Sequence, residues 1–322
     1  MNMENIKNFI NGRTADKIRK KSLSGAVSLM RLAFLIIVGY IVLYPILFMV
    51  TNAIKTSADF LDVSHTWLPL EYTFENFSES LRIMGFPDFE LMAQEGLSVE
   101  AFGSLGQTVI LQMVSAVLEI MMCAFIAYGF ARFKFKGKSI ATVLLILSLL
   151  VPLEMYSIGL SVNYRILGIF DTPFVYWLPA LFGVGIRSGM IIYIYQQFFI
   201  GLPAELEDAA YVDGAGPVRT FFSIALPSSS VVIVTVSVLT IIWYWNENYL
   251  AELCFMNENR PLSVLMNQCG TLLAAHGINT GQGLYVAYKS ACCLLFLAVP
   301  LIFYMIIQRK FVKSIDRVGI TG

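Results

Sequence analysis

Charge is what this sequence has least of. Only 14% of its 322 residues are Asp, Glu, Lys or Arg, where a soluble domain carries roughly 25%. A chain this poor in charge has too little to cover a water-facing surface. The charges it does have cancel, 22 basic against 22 acidic, which excludes the strongly basic footprint of a nucleic-acid binder. Metal-ligating chemistry is equally thin. The five cysteines form no CxxC pair, and the two histidines, His65 and His276, stand far apart, so no structural metal is expected. No GxxxxGK[ST] phosphate loop occurs, so the chain is not expected to bind nucleotide itself. Cys123, Cys292 and Cys293 lie in apolar runs, as small core residues would, whereas Cys254 and Cys269 share one loop and are open to bridging if that loop faces an oxidising side.

Hydrocarbon is abundant: 57% of residues are hydrophobic and the mean hydropathy is +0.71. A helix needs about 20 apolar residues to cross a bilayer. Six runs qualify, at 32–50, 108–130, 140–160, 174–199, 227–245 and 286–307. The first has too long an apolar part, and too long a segment before it, for a cleaved signal peptide, and is expected to remain as an anchor. The predicted class is therefore an all-α membrane protein of six transmembrane helices. Seven basic residues precede the first run, four follow the second (Arg132, Lys134, Lys136, Lys138), and Arg309, Lys310, Lys313 and Arg317 follow the sixth. The loops of the opposite side hold Lys55, Arg82, Arg165 and Arg260. Basic residues accumulate on the inner side, so both termini are expected in the cytoplasm.

Between the fourth and fifth runs lies EDAAYVDGAG, residues 207–216, too polar to span a membrane. Pro203 suits the start of a helix. Glu205, Glu207 and Asp208 complement the positive end of its dipole, and Gly214 can supply the left-handed residue that ends it. Gly216 and Pro217 then restart the chain. Leu202, Leu206, Ala209, Ala210 and Asp213 fall near one stripe. The result is a compact helical knob suited to a cleft on a moving partner.

Glu119, Glu154, Arg187 and Lys289 are ionisable groups in or near the spans. Such groups are costly in lipid unless they face protein or water. They read either as a polar path or gate, or as structural groups such as a Glu119–Arg187 pair and a snorkelling Lys289. Tyr176, Trp177, Tyr193, Trp243 and Asn246 are candidates to hold a polar ligand through aromatic faces and a planar amide, although Tyr and Trp also gather at membrane interfaces without any ligand. The segment between the first two spans is acidic, with Asp59, Asp62, Glu71, Glu75, Glu79, Asp88, Glu90, Glu95 and Glu100. It serves either as a docking surface for a soluble partner or simply as an acidic outer face.

These residues resemble the permease subunits of binding-protein-dependent ABC importers, in the maltose-type carbohydrate-uptake branch. The family's loop signature is EAA, three residues, G, nine residues, I, one residue, LP. Here it reads Asp208, Ala209 and Ala210, then Gly214, Ile224, Leu226 and Pro227, with spacing kept and aspartate in place of glutamate. WLPLEYTFENF (67–77), AYGFARFKFKGK (127–138), DTPFVYWLPAL (171–181) and WNENYL (245–250) fall in the family's order. In the tail, Ser314 and Val318 replace glycines common in the family, and Thr321 a lysine.

The resemblance implies a type I importer permease with coupling helices between spans four and five. Its parts would be a cytoplasmic segment 1–31, a first span 32–50, an extracytoplasmic segment 51–104, a transmembrane core domain 105–308 and a cytoplasmic tail 309–322. It implies that Leu206, Glu207, Asp208, Ala209, Ala210, Asp213 and Gly214 dock on an ATPase subunit. It further implies a non-enzymatic chain without a cofactor of its own, ATP and Mg being bound by the partner ATPase. The expected partners are a second permease, two ATP-binding subunits and an extracytoplasmic solute-binding protein, in a bacterial or archaeal cell membrane. The expected cargo is a sugar or oligosaccharide. The same architecture could import a phosphorylated polyol, peptide or polyamine, and a secondary transporter would require the inverted repeats that this sequence does not display.

Overall fold

The computed structural model describes residues 3–60, 67–86, 103–256, 260–278 and 283–319. The expected outer acids Asp62, Asp88, Glu90, Glu95 and Glu100, together with His65 and Thr321, lie outside the described residues. Among the described residues there is no β-strand, and one isolated antiparallel bridge joins Lys55 to Tyr72.

The helices are α1 (Met3–Ala53), α2 (Glu75–Ile83), α3 (Gly103–Arg132), α4 (Lys138–Ser148), α5 (Ser157–Ile166), α6 (Phe174–Leu181), α7 (Ser188–Gly201), α8 (Glu205–Val212), α9 (Pro217–Thr220), α10 (Ser230–Asn246), α11 (Tyr249–Cys254), α12 (Leu262–Asn267), α13 (Cys269–Ala275) and α14 (Gly283–Gly319). Among the described residues, three helices carry stretches long and apolar enough to cross a membrane: Val27–Ala53, Gly103–Arg132 and Gly283–Arg309. Residues 32–50 thus belong to a helix that already begins at Met3. Its apolar side chains from Leu32 to Phe48 are largely exposed, as a helix facing lipid should be.

α3 is the centre of the bundle. Its buried side offers small residues, Ser115, Ala116, Cys123, Ala124 and Ala127. Short side chains let neighbouring backbones approach closely where burial of apolar surface gives no net drive between helices. Its other side exposes Val117, Met121 and Phe125. One core cluster surrounds α3 and includes Tyr128, Tyr176, Tyr195, Phe199, Phe221 and Tyr244. A second gathers Met84, Trp245, Leu262, Cys269, Leu273 and Cys292 around α14. Cys254 and Cys269 fall in different clusters and both are free thiols, so the bridge considered between them is not formed.

The third and fourth spans are not the continuous helices expected over 140–160 and 174–199. The third divides into α4 and α5 around a 3₁₀ turn at Leu153–Met155, where Pro152 takes an extended conformation (ψ 146°) and cannot continue a helix. The fourth divides into α6 and α7, with Gly183 (φ +68°) and Arg187 (φ +57°) in the left-handed region at the break. The fifth is bent: Pro217–Ser228 meets Ser230–Asn246 at 79°, and counting this pair as one span gives a fourth crossing. Within the bend, Phe221–Ala225 forms a π-helical turn.

Candidate functional site

The loop at 202–229 is built much as its residue types dictate. α8 begins two residues after Pro203, and Glu205, Glu207 and Asp208 occupy its first turn. Its far end closes in a glycine-dependent cap. The Gly214 N–H donates to the Tyr211 carbonyl (3.0 Å) and the Ala215 N–H to the Ala210 carbonyl (2.9 Å), with Gly214 at φ +80°. This double bond pattern satisfies the carbonyls left open by the last helical turn. Gly216 then supplies the extended cap before Pro217 opens α9.

Six of the seven residues expected to face a partner have at least part of their surface outward. Leu206, Asp208, Ala209, Asp213 and Gly214 are exposed and Ala210 is half-buried. Tyr211 and Val212 add exposed apolar surface beside them, Val212 at 87% exposure. Glu207 is the correction: it is the buried residue of α8, and its carboxylate is engaged within the chain. Arg132 Nε donates to Glu207 Oε1 at 2.8 Å, and Tyr128 Oη donates to Glu207 Oε2 at 3.1 Å. Arg132 Nη2 also donates to the carbonyl of Leu202 at 2.7 Å. The helical periodicity that grouped Leu202, Leu206 and Ala209 placed Glu207 off that stripe, and this was the available signal. Tyr128 and Arg132, one turn apart on α3, were its unrecognised partners.

Away from this loop, a cavity of about 1200 Å³ opens beside the breaks in the third and fourth spans. Glu154, Arg187, Tyr193, Trp243 and Asn246 line it. Arg187 caps the start of α7, and its guanidinium lies over the Trp243 ring, 5.3 Å from the centroid. The other two aromatic candidates are placed differently. Tyr176 is buried with its hydroxyl donating to Glu247, and Trp177 donates its indole N–H to the Leu111 carbonyl. Structural bonds already occupy their polar ends.

The Glu119–Arg187 pair does not form. Glu119 is fully buried and accepts a hydrogen bond on Oε1 from Ser188 Oγ at 2.5 Å, so Arg187 and its neighbour Ser188 face different surroundings. Glu119 Oε2 and Tyr244 Oη are buried beside each other and interact, but in a geometry too poor for a well-formed hydrogen bond. Gly185 makes room for them: a Cβ there would lie 2.7 Å from Tyr244 Oη and 2.9 Å from Glu119 Oε2. Lys289 is exposed, with its ammonium 5.6 Å from the Tyr285 ring centroid. No cluster of three or more metal-ligating side chains occurs among the described residues.

Comparison with known proteins gives this arrangement a context. The chain is 28% identical over 309 residues to the probable ABC transporter permease protein YurM of Bacillus subtilis, covering 95% of this chain and 92% of that one. It is 27% identical over 259 residues to the alpha-glucoside transport system permease protein AglG of Rhizobium meliloti, covering 79% of this chain and 62% of AglG. In fold it matches a chain of a bacterial ABC transporter involved in the import of the acidic polysaccharide alginate, with a TM-score of 0.69 at 20% identity, over 88% of this chain and 96% of that chain. The model of the binding-protein-dependent transport system inner membrane component matches residues 120–317, which hold α7 to α10, the cavity and the loop. This chain therefore belongs to the family of inner membrane components of binding-protein-dependent transport systems.

Proposed function

We propose that this chain is one of two permeases lining the translocation path of an ATP-driven importer of sugars or oligosaccharides, and that α8 is its docking element for a separate ATPase subunit. The observation that carries the reading is the outward face of α8. Leu206, Asp208, Ala209, Asp213 and Val212 stand exposed on a short helix whose far end is fixed by the Gly214 cap. Exposed apolar residues beside acids, held on so short a helix, favour insertion into a shaped groove over simple solvation. Sugar as cargo is supported by the relatives and by the aromatic and amide groups of the cavity, Tyr193, Trp243 and Asn246.

The positive-inside distribution supports cytoplasmic termini, which puts α8 on the ATPase side. ATP and Mg would then be bound by the ATPase subunit, and an extracytoplasmic binding protein would deliver cargo from the opposite side. ATP binding would draw the docked helices together and bias the bundle toward an outward-open state. Such a bias requires α8 contacts that differ between the two states.

The test is Gly214→Trp in the complete importer. A side chain at φ +80° strains the cap even though open space surrounds the glycine. Membrane insertion should be preserved and uptake should fall at least tenfold relative to ATP hydrolysis. Normal uptake by this variant would overturn the docking assignment.

A further inference from the structure

We infer that Glu207 is a positioning residue of the coupling step: with Arg132 and Tyr128 it forms an internal strut that carries motion of α8 into α3, and it does not contact the ATPase. The inference rests on α8 being the docking helix, as proposed above, and adds how its displacement enters the membrane bundle.

The geometry supports the strut in three ways. First, Glu207 is the buried side chain of α8, and both of its oxygens are taken by groups of α3. The side chains of Glu207 and Arg132 are only 5% and 17% exposed. Exposed ion pairs are loose and contribute little, whereas a buried, fully hydrogen-bonded pair fixes a geometry. Second, Arg132 spends its planar fork on two elements at once, with Nε on Glu207 and Nη2 on the Leu202 carbonyl that ends α7. A guanidinium can do this because its donors are rigidly spaced. Third, the Tyr128 ring is packed edge-on against Phe199 of α7 (centroids 5.6 Å apart, 85°) and tilted against Phe221 (5.3 Å) at the start of the π turn leading to α10. One carboxylate on α8 is thereby tied to α3 directly, to α7 through Arg132 and to the approach of α10 through Tyr128.

A merely structural ion pair would affect assembly. A strut should affect the transmission of motion at constant assembly, and the experiment separates the two. The full-length chain is purified in its complete importer as wild type, as Glu207→Gln, as Arg132→Gln and as the charge exchange R132E/E207R. Each carries Met190→Cys, an exposed lining residue of the cavity outside the sugar candidates, and the same chains without that cysteine give the background from native thiols. Two quantities are read: the ATPase subunit co-purified per permease, and the change in labelling of the cavity cysteine by an impermeant maleimide on adding ATP and vanadate.

Glu207→Gln and Arg132→Gln should retain the ATPase subunit within twofold of wild type and lose at least fivefold of the ATP-driven labelling change. The exchange should recover that change to within twofold of wild type. If the exchange fails to assemble, Arg132→Lys takes its place, since it keeps the cation and should retain at least half the response.

Loss of the ATPase subunit from Glu207→Gln alone would make Glu207 a docking contact and overturn the strut. Full ATP-driven labelling in both glutamine variants would overturn it as well, as would an assembled exchange no better than they are. A wild-type complex that binds the ATPase subunit but shows no ATP-dependent labelling would overturn the underlying coupling scheme, and the strut with it.

Discussion

The two glutamates buried among the described residues answer the same problem in opposite ways. Glu207, at the loop end of the bundle, has both oxygens taken, one by a cation and one by a phenol. Glu119, in the middle of the bundle, has Ser188 on one oxygen and only the poorly aligned Tyr244 hydroxyl beside the other. A satisfied charged pair specifies one geometry, and removing either member exposes the other. A half-satisfied carboxyl depends instead on the shape around it, here on the missing side chain of Gly185. The two sites should therefore differ in what breaks them: Glu207 should be sensitive to charge and Glu119 to volume.

The sharpest way to break that contrast is Glu207→Lys, which sets a second cation against Arg132. Like charges at a buried site leave neither satisfied, and the amount of assembled protein should fall at least tenfold in size-exclusion profiles of the purified complex. The corresponding volume test is Gly185→Val. Its side chain would press on Tyr244 Oη and Glu119 Oε2, and overpacking of a filled core costs about 1–3 kcal/mol, read as a lowered melting temperature. Glu119→Gln should be milder than either. It keeps an acceptor for Ser188 and a similar shape, so the loss should stay near about 1 kcal/mol or less, the scale of one neutral hydrogen bond. A melting shift for Glu119→Gln as large as that for Gly185→Val would erase the distinction.

The smallest effect belongs to a carboxylate outside the membrane-spanning segments. The Leu70 N–H donates to Asp59 Oδ1 at 2.9 Å, and the Thr56 N–H and hydroxyl donate to Oδ2. These bonds favour the ionised form and hold the Asp59 pKa below its ordinary value, the Leu70 bond most of all. A lowered folded-state pKa stabilises the fold above the unfolded pKa of about 4, and that contribution is lost as pH falls through the lower folded value. Amide exchange at Leu70, corrected for the intrinsic pH dependence, should therefore accelerate below about pH 4, and Asp59→Asn should abolish that acceleration.

How legible each site was in the sequence follows from the range of the forces that build it. The α8 knob was legible because its determinants are local: a proline before the helix, acids in its first turn, and a glycine where the chain must turn left-handed. Periodicity brought out Leu206, Ala209 and Asp213, whereas Asp208 and Gly214 came from the family signature and Tyr211 and Val212 from neither. The inward partner of Glu207 was not legible, because Arg132 lies 75 positions away, where it counts toward topology and the AYGFARFKFKGK match but carries no local mark of a contact with α8. The breaks within the third and fourth spans were masked by continuous hydrophobicity. Pro152 and Gly183 sit at the breaks, but a hydropathy window averages over single residues. Arg187 and Ser188 show the same limit at closer range, since which of the two neighbours would reach Glu119 depended on a left-handed residue that only the fold determines.

The 79° bend between Pro217–Ser228 and Ser230–Asn246 has a mechanical consequence. Twelve helical residues at about 1.5 Å each make an arm of roughly 18 Å ending at an elbow. Swinging such an arm by about 10° sweeps its tip through roughly 3 Å, close to the rise of two helical residues. Because the two segments stand nearly at right angles, a twist of one about its own axis becomes a tilt of the other. The loop has the form of a crank, in which rotation at one end would emerge as a sideways stroke at the other.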